Sequence, residues 1–135
     1  MEYKSIQLPP FSRGFHLITD ILLREAGPLP ENGLLYFFIK HTSAALTINE
    51  NADPTVRRDF ERYINRIVPE DIPGLEHTFE GPDDMPAHVK ASFFGSSVSL
   101  PIINHRPALG TWQGIYLCEF RNRARGREII CGIIS

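Results

Sequence analysis

Two neighbouring acids and a histidine occupy the stretch Gly81 to Lys90, which is the densest group of ionisable side chains in the sequence. Asp83 and Asp84 precede Met85-Pro86, where proline can open a helix, and His88 follows one turn later. Packing alone gives no reason for adjacent carboxylates, because they repel each other. If the helix includes Asp84, the spacing of four residues places Asp84 and His88 on one helix face. If Asp84 instead caps the helix, its carboxylate binds backbone N–H groups and Asp83 is the freer acid.

Two further histidines can join this stretch, since His41 ends an apolar run and His77 precedes the acids within the same polar loop. Imidazoles with a carboxylate can hold a divalent metal such as Mg or Zn, with an open position that activates water or polarises a phosphate. Without metal, the same groups form an acid/base set in which the carboxylate orients a histidine. The histidine spacing matches no compact metal motif. A third interpretation, in which each of these side chains is satisfied separately, therefore stays open.

Apolar and alternating runs predict the elements that position these residues. Strands are predicted at 3–8, 14–18, 33–39 and 44–49, and a short helix capped by Thr19-Asp20 at 21–25. Asp53-Pro54 predicts the start of a first main helix, with arginines on a solvated face. The core-facing stripe of that helix is predicted to be Val56, Phe60, Tyr63, Ile64 and Ile67. A second main helix is predicted from Met85-Pro86 to Phe94, with Gly95 as its stop.

The last third of the chain is predicted to form strands at 98–103, 114–120 and 127–134. Ile115, Leu117 and Glu119 fall on one strand face, where a buried carboxylate needs a partner or a ligand. The basic run 121–127 is interpreted as a solvated hairpin turn, with an anion contact as the alternative. Together these elements predict a single α+β domain over residues 1–135, a compact, mostly antiparallel β-sheet of sandwich-like form with two main helices.

Composition favours a soluble, cytoplasmic protein. The hydrophobic fraction of 42% and the charged fraction of 22% are typical of globular chains. A formal net charge of -2 argues against a nucleic-acid partner. The sequence shows no pattern of a signal peptide and no apolar stretch long enough to span a membrane. Cys118 and Cys131 lie in apolar runs and are predicted to be buried free thiols.

Four sequence blocks resemble the YjbQ-like family, in the same order and at the same separation. The blocks are His41-Thr42-Ser43-Ala44-Ala45, Asn49-Glu50-Asn51-Ala52-Asp53-Pro54, Asp83-Asp84-Met85-Pro86-Ala87-His88 and Leu109-Gly110-Thr111-Trp112-Gln113-Gly114. The chain departs from the family pattern at Arg121-Asn122, where an acidic-glycine turn is usual. The resemblance covers almost the whole chain and implies a compact α+β or sandwich-like subunit that assembles as a homotrimer. Some members of the family are described as secondary thiamine-phosphate synthases.

The resemblance also implies one cleft, which subunits can share, lined by the matching residues. The implied catalytic residues are His41, Asp84, His88 and Glu119, the implied metal ligands are His77, Asp84 and His88, and the implied substrate-binding residues are Thr42, Ser43, Asn49, Glu50, Asn51, Trp112 and Gln113. Asp84 and His88 would supply metal or proton chemistry, while Glu119 would orient a histidine. His41 and His77 would contact phosphates.

Hydroxyl groups of Thr42 and Ser43 can donate to phosphate oxygens, and Trp112 can stack on a heteroaromatic ring whose edge Gln113 reads. A core or subunit-interface role for Trp112 is the alternative. The expected function is thiamine-phosphate synthase chemistry, which joins hydroxymethylpyrimidine diphosphate to a thiazole phosphate, or a related phosphate-ester reaction. The alternative function is a non-catalytic trimer that binds a small anion or a metal and whose synthase activity is incidental.

Overall fold

Two antiparallel sheets and three helices make up the computed structural model, which describes residues 2–135. The elements in chain order are β1 (Glu2–Gln7), β2 (Gly14–Leu17), α1 (Thr19–Ala26), β3 (Asn32–Ile39), β4 (Ala44–Glu50), α2 (Pro54–Ile67), α3 (Asp84–Phe94), β5 (Ser97–Ile103), β6 (Arg106–Pro107), β7 (Gln113–Glu119) and β8 (Glu128–Ile134). All strand pairs are antiparallel, which confirms the predicted α+β class. No helix within residues 2–135 has the length and hydrophobicity needed to cross a membrane.

The elements form three layers around two apolar cores. The first sheet has the strand order β1-β8-β3-β5-β6 and the second has the order β2-β7-β4. One core lies between the sheets and includes α1, while the other lies between the second sheet and the helices α2 and α3. β7 is therefore buried on both faces, with Ile115 and Leu117 in the first core and Tyr116 and Cys118 in the second. Both cysteines are free and buried, as predicted.

Helix α2 begins as predicted and packs through part of its predicted apolar stripe. The Asp53 carboxylate accepts the Thr55 N–H at 2.9 Å, and Pro54 is the first helical residue. Tyr63 and Ile67, which were predicted to face the core, are 71% and 59% exposed. Ile64 of the same predicted stripe is buried and Phe60 packs against the second core, so the prediction is wrong only for Tyr63 and Ile67.

Arg13 explains why polar residues share the inward side of α2. Its guanidinium binds Glu61 Oε1 at 3.1 Å and donates to Asn65 Oδ1 at 2.8 Å, so two polar residues of α2 face inward. Asn65 Oδ1 also accepts from Lys90 Nζ at 2.7 Å, which joins α3 to α2. A prediction based on the spacing of apolar residues misses Glu61 and Asn65, because partners far away in the sequence satisfy these polar side chains.

The predicted cap at the start of α1 is wrong, whereas the predicted stop of α3 is confirmed. α1 starts at Thr19, but the Thr19 hydroxyl accepts the Ile115 N–H at 2.8 Å, so the predicted Thr19-Asp20 cap is wrong. α1 is also longer than predicted and forms a third helix. α3 ends before Gly95, whose φ of 97° confirms the predicted glycine stop.

The basic run 121–127 is not a hairpin turn, because the strands on either side of it belong to different sheets. The chain leaves β7 in the second sheet, crosses between the sheets and enters β8 in the first sheet. The hairpin lies instead between β5 and β6, where Asn104 and His105 form the tip with φ values of 53° and 65°. The crossing segment brings charged side chains beneath the start of α3.

Candidate functional site

The first turn of α3 places Asp84 and His88 beside His77, which lies in the preceding loop. His77 Nε2 is 2.8 Å from Asp84 Oδ2, and His88 Nε2 is 3.3 Å from the same oxygen. One ligand atom from each of the three residues falls within 4.8 Å of the others. We call these residues the His–Asp–His cluster. Asp84 is buried, whereas the His77 side chain is 54% exposed, so the cluster is open on one side.

The second oxygen of Asp84 is held by an arginine. Arg121 Nη1 donates to Asp84 Oδ1 at 2.7 Å, and Arg121 Nε donates to Asp83 Oδ2 at 2.9 Å. Asp83 Oδ2 also accepts the Asn122 N–H at 2.9 Å. Burial raises the pKa of Asp83, but the Asn122 N–H and the Arg121 guanidinium outweigh burial and lower it. Arg121 therefore fixes both carboxylates at the entrance of α3.

The two roles considered for Asp84 can now be distinguished. Asp84 is the first residue of α3 and Asp83 is the N-cap residue, without a side-chain capping bond. Asp84 therefore does not cap the helix, and the spacing of four residues from Asp84 to His88 does bring both side chains to one face. Asp83, the alternative free acid, is committed to Arg121 and Asn122.

The orientation of His88 is set by its other ring nitrogen. His88 Nδ1 is 2.9 Å from the carbonyl oxygen of Thr42, and a carbonyl can only accept, so Nδ1 carries the hydrogen. In the neutral ring, Nε2 then has a lone pair directed at the cluster. An imidazole that donates to a backbone carbonyl is the usual supporting arrangement of a metal-ligating histidine.

The donor set of the His–Asp–His cluster fits a divalent metal. Two imidazole nitrogens and one carboxylate oxygen suit zinc and similar transition metals better than magnesium, which prefers oxygen ligands. Three protein ligands leave a coordination position for water or substrate, and the exposed side of His77 leaves room for it.

His41 lies in the cleft next to the cluster and is held in its neutral form. Its Nε2 accepts the Glu128 N–H at 2.8 Å, so the hydrogen of the neutral ring is on Nδ1. Burial lowers the pKa of His41, and the nearby Arg127 guanidinium lowers it further. The cleft has a volume of about 640 Å³ and is lined by His41, Thr42, His88 and Ser92. The cleft therefore presents an imidazole N–H and hydroxyl groups beside one member of the cluster.

Glu119 and Ser43 form a buried group with Arg127 below this cleft. Glu119 is fully buried and accepts from Arg127 Nε at 2.7 Å and from Arg127 Nη2 at 2.5 Å. Arg127 Nη2 also donates to Ser43 Oγ at 3.1 Å. Glu119 thus pairs with an arginine, whereas the sequence predicted a histidine partner. The Ser43 hydroxyl accepts from Arg127, which leaves its own hydrogen free to donate.

The remaining predicted substrate-binding residues lie at the opposite end of β4. The register pairs Ala44 with Glu119 at one end of the β4 and β7 ladder and Glu50 with Gln113 at the other. Six residue steps along a strand separate the ends by roughly 20 Å. One chain therefore does not bring the two groups of residues into one cleft.

Polar atoms at that opposite end are bound to nearby backbone. Asn51 Nδ2 donates to the carbonyl of Gln113 at 3.0 Å, and Gln113 Oε1 accepts the Gly110 N–H at 2.8 Å. Asn49 Oδ1 accepts the Glu50 N–H at 2.8 Å. The Glu50 carboxylate accepts the N–H groups of Ala52 and Asp53 at 3.0 and 3.1 Å. Trp112 is 66% exposed, so a core role within this chain is excluded.

Arg121 and Arg127 are the site residues that the sequence interpretation missed. Both were assigned to a solvated turn, yet Arg121 holds Asp84 and Arg127 neutralises Glu119. One signal was present, since a glutamate on the apolar face of a buried strand requires a cationic partner nearby. The run of arginines that begins two residues later could have supplied that partner.

Fold and cluster together define a class of three-layer α+β proteins with an open His–Asp–His cluster at the start of a helix. A model of the family described as UPF0047 protein YjbQ-like matches residues 4–135. The chain belongs to that family, as the four sequence blocks predicted.

Relatives in bacteria and solved structures support the assignment. The chain is 50% identical to the UPF0047 protein YjbQ of Escherichia coli O157:H7 over 129 residues, which cover 94% of this chain and 93% of that protein. It is 42% identical to the UPF0047 protein YugU of Bacillus subtilis over 102 residues, or 76% and 74% of the two chains. A conserved hypothetical protein of Thermus thermophilus superposes with a TM-score of 0.84 at 33% identity, covering 97% of this chain and 99% of that chain. The Escherichia coli and Bacillus subtilis proteins are named for the family rather than for a reaction.

Proposed function

We propose that this protein is a metal-dependent enzyme that acts on a small phosphorylated molecule. The observation that carries the proposal is the convergence of His77, Asp84 and His88 within 4.8 Å. Their donor atoms favour a zinc-type ion, and such an ion polarises a phosphate oxygen or activates water. Arg121 supports the proposal, because it holds Asp84 Oδ1 and leaves Oδ2 directed at the two histidines.

His41 has a defined role in this proposal. Its Nε2 is already bound to the Glu128 N–H, so His41 cannot accept a substrate proton there while the fold is intact. The Nδ1–H group instead donates a hydrogen bond to a phosphate or leaving-group oxygen in the cleft. Thr42 lines the same cleft, and its hydroxyl group can donate to a further oxygen. The Ser92 hydroxyl already donates to the His88 carbonyl at 3.1 Å. His41 is therefore a neutral hydrogen-bond donor rather than a general base.

The reaction proposed for the first test is the joining of hydroxymethylpyrimidine diphosphate to a thiazole phosphate. The resemblance to YjbQ-like proteins implies this thiamine-phosphate synthase chemistry, and a diphosphate leaving group suits a metal beside hydrogen-bond donors. The proposal includes a cytoplasmic homotrimer as the working form. An assembly of this kind can bring Trp112 and Gln113 of one subunit towards the cluster of another, as the single cleft of the resemblance requires.

The experiment is a thiamine-phosphate assay on purified protein with matched variants. Protein is stripped with a chelator, reloaded with zinc or magnesium, and assayed for product by chromatography. We expect turnover to require the transition metal and to fall roughly 100-fold in Asp84→Asn, His88→Ala and His41→Ala. His105→Asn is the control, because His105 lies at the tip of the β5–β6 hairpin. Unchanged turnover in all three site variants would remove the proposed site.

A second candidate is a non-catalytic protein that binds a metal or small anion. The observation that favours it is the separation of the two groups of predicted residues, whose second group is bound to its own backbone. Calorimetry with zinc, with thiamine precursors and with simple phosphates distinguishes the candidates. Saturable binding without turnover in the zinc-loaded protein supports the second candidate, whereas turnover that depends on Asp84 supports the first.

A further inference from the structure

A second charged cleft lies between β2 and α2 and shares no residue with the His–Asp–His cluster. Its volume is about 420 Å³. Four arginines and one acid line it, although the chain as a whole carries a formal charge of -2. These residues are Arg13, Arg57, Arg58, Arg62 and Glu61, and we call the space they line the arginine cleft.

The acids near the arginine cleft are largely committed to other groups. Arg13 binds Glu61 Oε1 at 3.1 Å and Glu70 Oε1 at 2.5 Å, so Arg13 is part of the fold rather than a free cation. The Asp53 carboxylate accepts the Thr55 N–H at the start of α2. Arg57, Arg58 and Arg62 form no ion pair within residues 2–135. Three unpaired guanidinium groups of α2 therefore face the same space.

Two features of these arginines oppose folding when no anion is present. Arg57 Nη1 is buried and has no hydrogen-bond partner within residues 2–135, which costs free energy of folding. Arg58 and Arg62 are four residues apart on one helix, where like charges repel. Glu61 Oε2 is also buried and unpaired, so pairing between Arg57 and Glu61 is the competing explanation.

We propose that the arginine cleft binds a small phosphate-bearing anion through Arg57, Arg58 and Arg62. Guanidinium groups present paired N–H donors that match phosphate oxygens in a bidentate geometry. A bound phosphate supplies the acceptor that Arg57 Nη1 lacks and offsets the repulsion between the other two arginines. The cleft accommodates a phosphate monoester or a diphosphate.

Calorimetric titration at low ionic strength with pyrophosphate and inorganic phosphate tests the proposal, with a chelator present to exclude metal-bridged binding. Variants are Arg57→Ala and the double variant Arg58→Ala with Arg62→Ala. The matched control is Arg66→Ala, which removes the same charge from the same helix outside the cleft. We expect Kd to rise about 10-fold or more in the cleft variants and less than about 2-fold in the control.

Several outcomes overturn the proposal. Wild-type protein that shows no saturable binding of either probe contradicts it directly. An equal loss of affinity in Arg66→Ala indicates general charge attraction, and unchanged affinity in Arg57→Ala indicates that Arg57 pairs with Glu61 instead. Arg121→Ala separates this cleft from the His–Asp–His cluster, because it removes the cation that an anion at the cluster would contact. Retained pyrophosphate binding in Arg121→Ala supports an independent site, and lost binding places the anion at the His–Asp–His cluster.

Discussion

The two ends of the β4–β7 ladder carry equally polar sequences but differ in what their side chains can do. At the end where Ala44 pairs with Glu119, the carboxylates of Glu119 and Asp84 are buried and meet arginines from distant parts of the chain. At the end where Glu50 pairs with Gln113, the polar atoms bind backbone groups a few residues away or in the facing loop. Burial of charge, rather than polarity, distinguishes the candidate site.

A reactive side chain needs supporting contacts that leave one of its polar atoms free. Side-chain atoms that bind nearby backbone shape loops and have little capacity left for a ligand. Asp84 and His88 each use one atom for support, through Arg121 and the Thr42 carbonyl, and direct the other atom at the cluster. Such divided use is the arrangement expected of metal ligands and their supporting groups.

The largest effect is expected when one partner of a buried ion pair is removed at the Ala44 end. Glu119→Gln leaves the buried Arg127 guanidinium without a counter-charge, so the free energy of unfolding should fall by about 3–5 kcal/mol. Glu50→Gln is the matched change at the other end. Glutamine retains an acceptor oxygen for the N–H groups of Ala52 and Asp53, so the loss should be about 1 kcal/mol or less. Urea unfolding in the presence of a chelator measures both values.

Equal losses in the Glu119 and Glu50 variants would show that the two ends are energetically alike. The chelator matters here, because a metal bound only by the folded protein would add to the measured stability. The slope of unfolding free energy against urea should stay constant, which indicates that the variants change stability rather than the compactness of the unfolded state.

The second largest effect is expected on zinc affinity, and only for a substitution at the Ala44 end of the ladder. His88→Ala removes one of three ligands, and we expect the affinity to fall at least about 100-fold, or about 2.7 kcal/mol. Gln113→Ala changes a residue whose amide binds the Gly110 N–H, and its zinc affinity should match wild type. Competition with a chromophoric chelator gives both constants. If the wild-type protein binds zinc weakly and His88→Ala binds it with the same affinity, the His–Asp–His cluster is excluded as a metal site.

A smaller loss of zinc affinity is expected when Arg121 is replaced. Arg121→Ala leaves all three ligands in place but frees the Asp84 carboxylate to rotate, so affinity should fall about 10- to 100-fold. Arg123→Ala is the control, because Arg123 belongs to the same crossing segment and is exposed. If Arg121→Ala instead increases affinity, the arginine competes with the metal for Asp84 and the supporting role is wrong.

Features that depend on residues close together in the sequence were predicted correctly. The start of α2 at Asp53-Pro54, the stop of α3 at Gly95 and the shared face of Asp84 and His88 all follow from residues within one or two helical turns. The Thr19 cap failed because a distant strand supplied a better partner for the hydroxyl. Tertiary contacts override local preference in that way.

The pairs that complete the site could not be predicted from local patterns. Arg121 lies 37 residues from Asp84, and Arg127 reaches Glu119 only because the chain crosses between two sheets there. A hairpin between β7 and β8 would place the same arginines in solvent. The role of the basic run was therefore decided by strand order, which a single sequence specifies only weakly.

The smallest expected effect is a pH dependence of stability contributed by His41 at the Ala44 end. The pKa of His41 is lowered in the folded protein, first by burial and then by Arg127. Between that lowered pKa and the ordinary histidine pKa of about 6.5, the unfolded chain therefore binds more protons than the folded protein does. Stability from His41 is therefore present above about pH 6.5 and is lost as pH falls through that window. Urea unfolding between pH 7.5 and pH 5 with a chelator should show a shallower loss in His41→Gln than in wild type, since glutamine does not titrate. Identical slopes would mean that the folded protein binds a proton at His41 as readily as the unfolded chain, and that the Glu128 N–H does not hold the ring neutral.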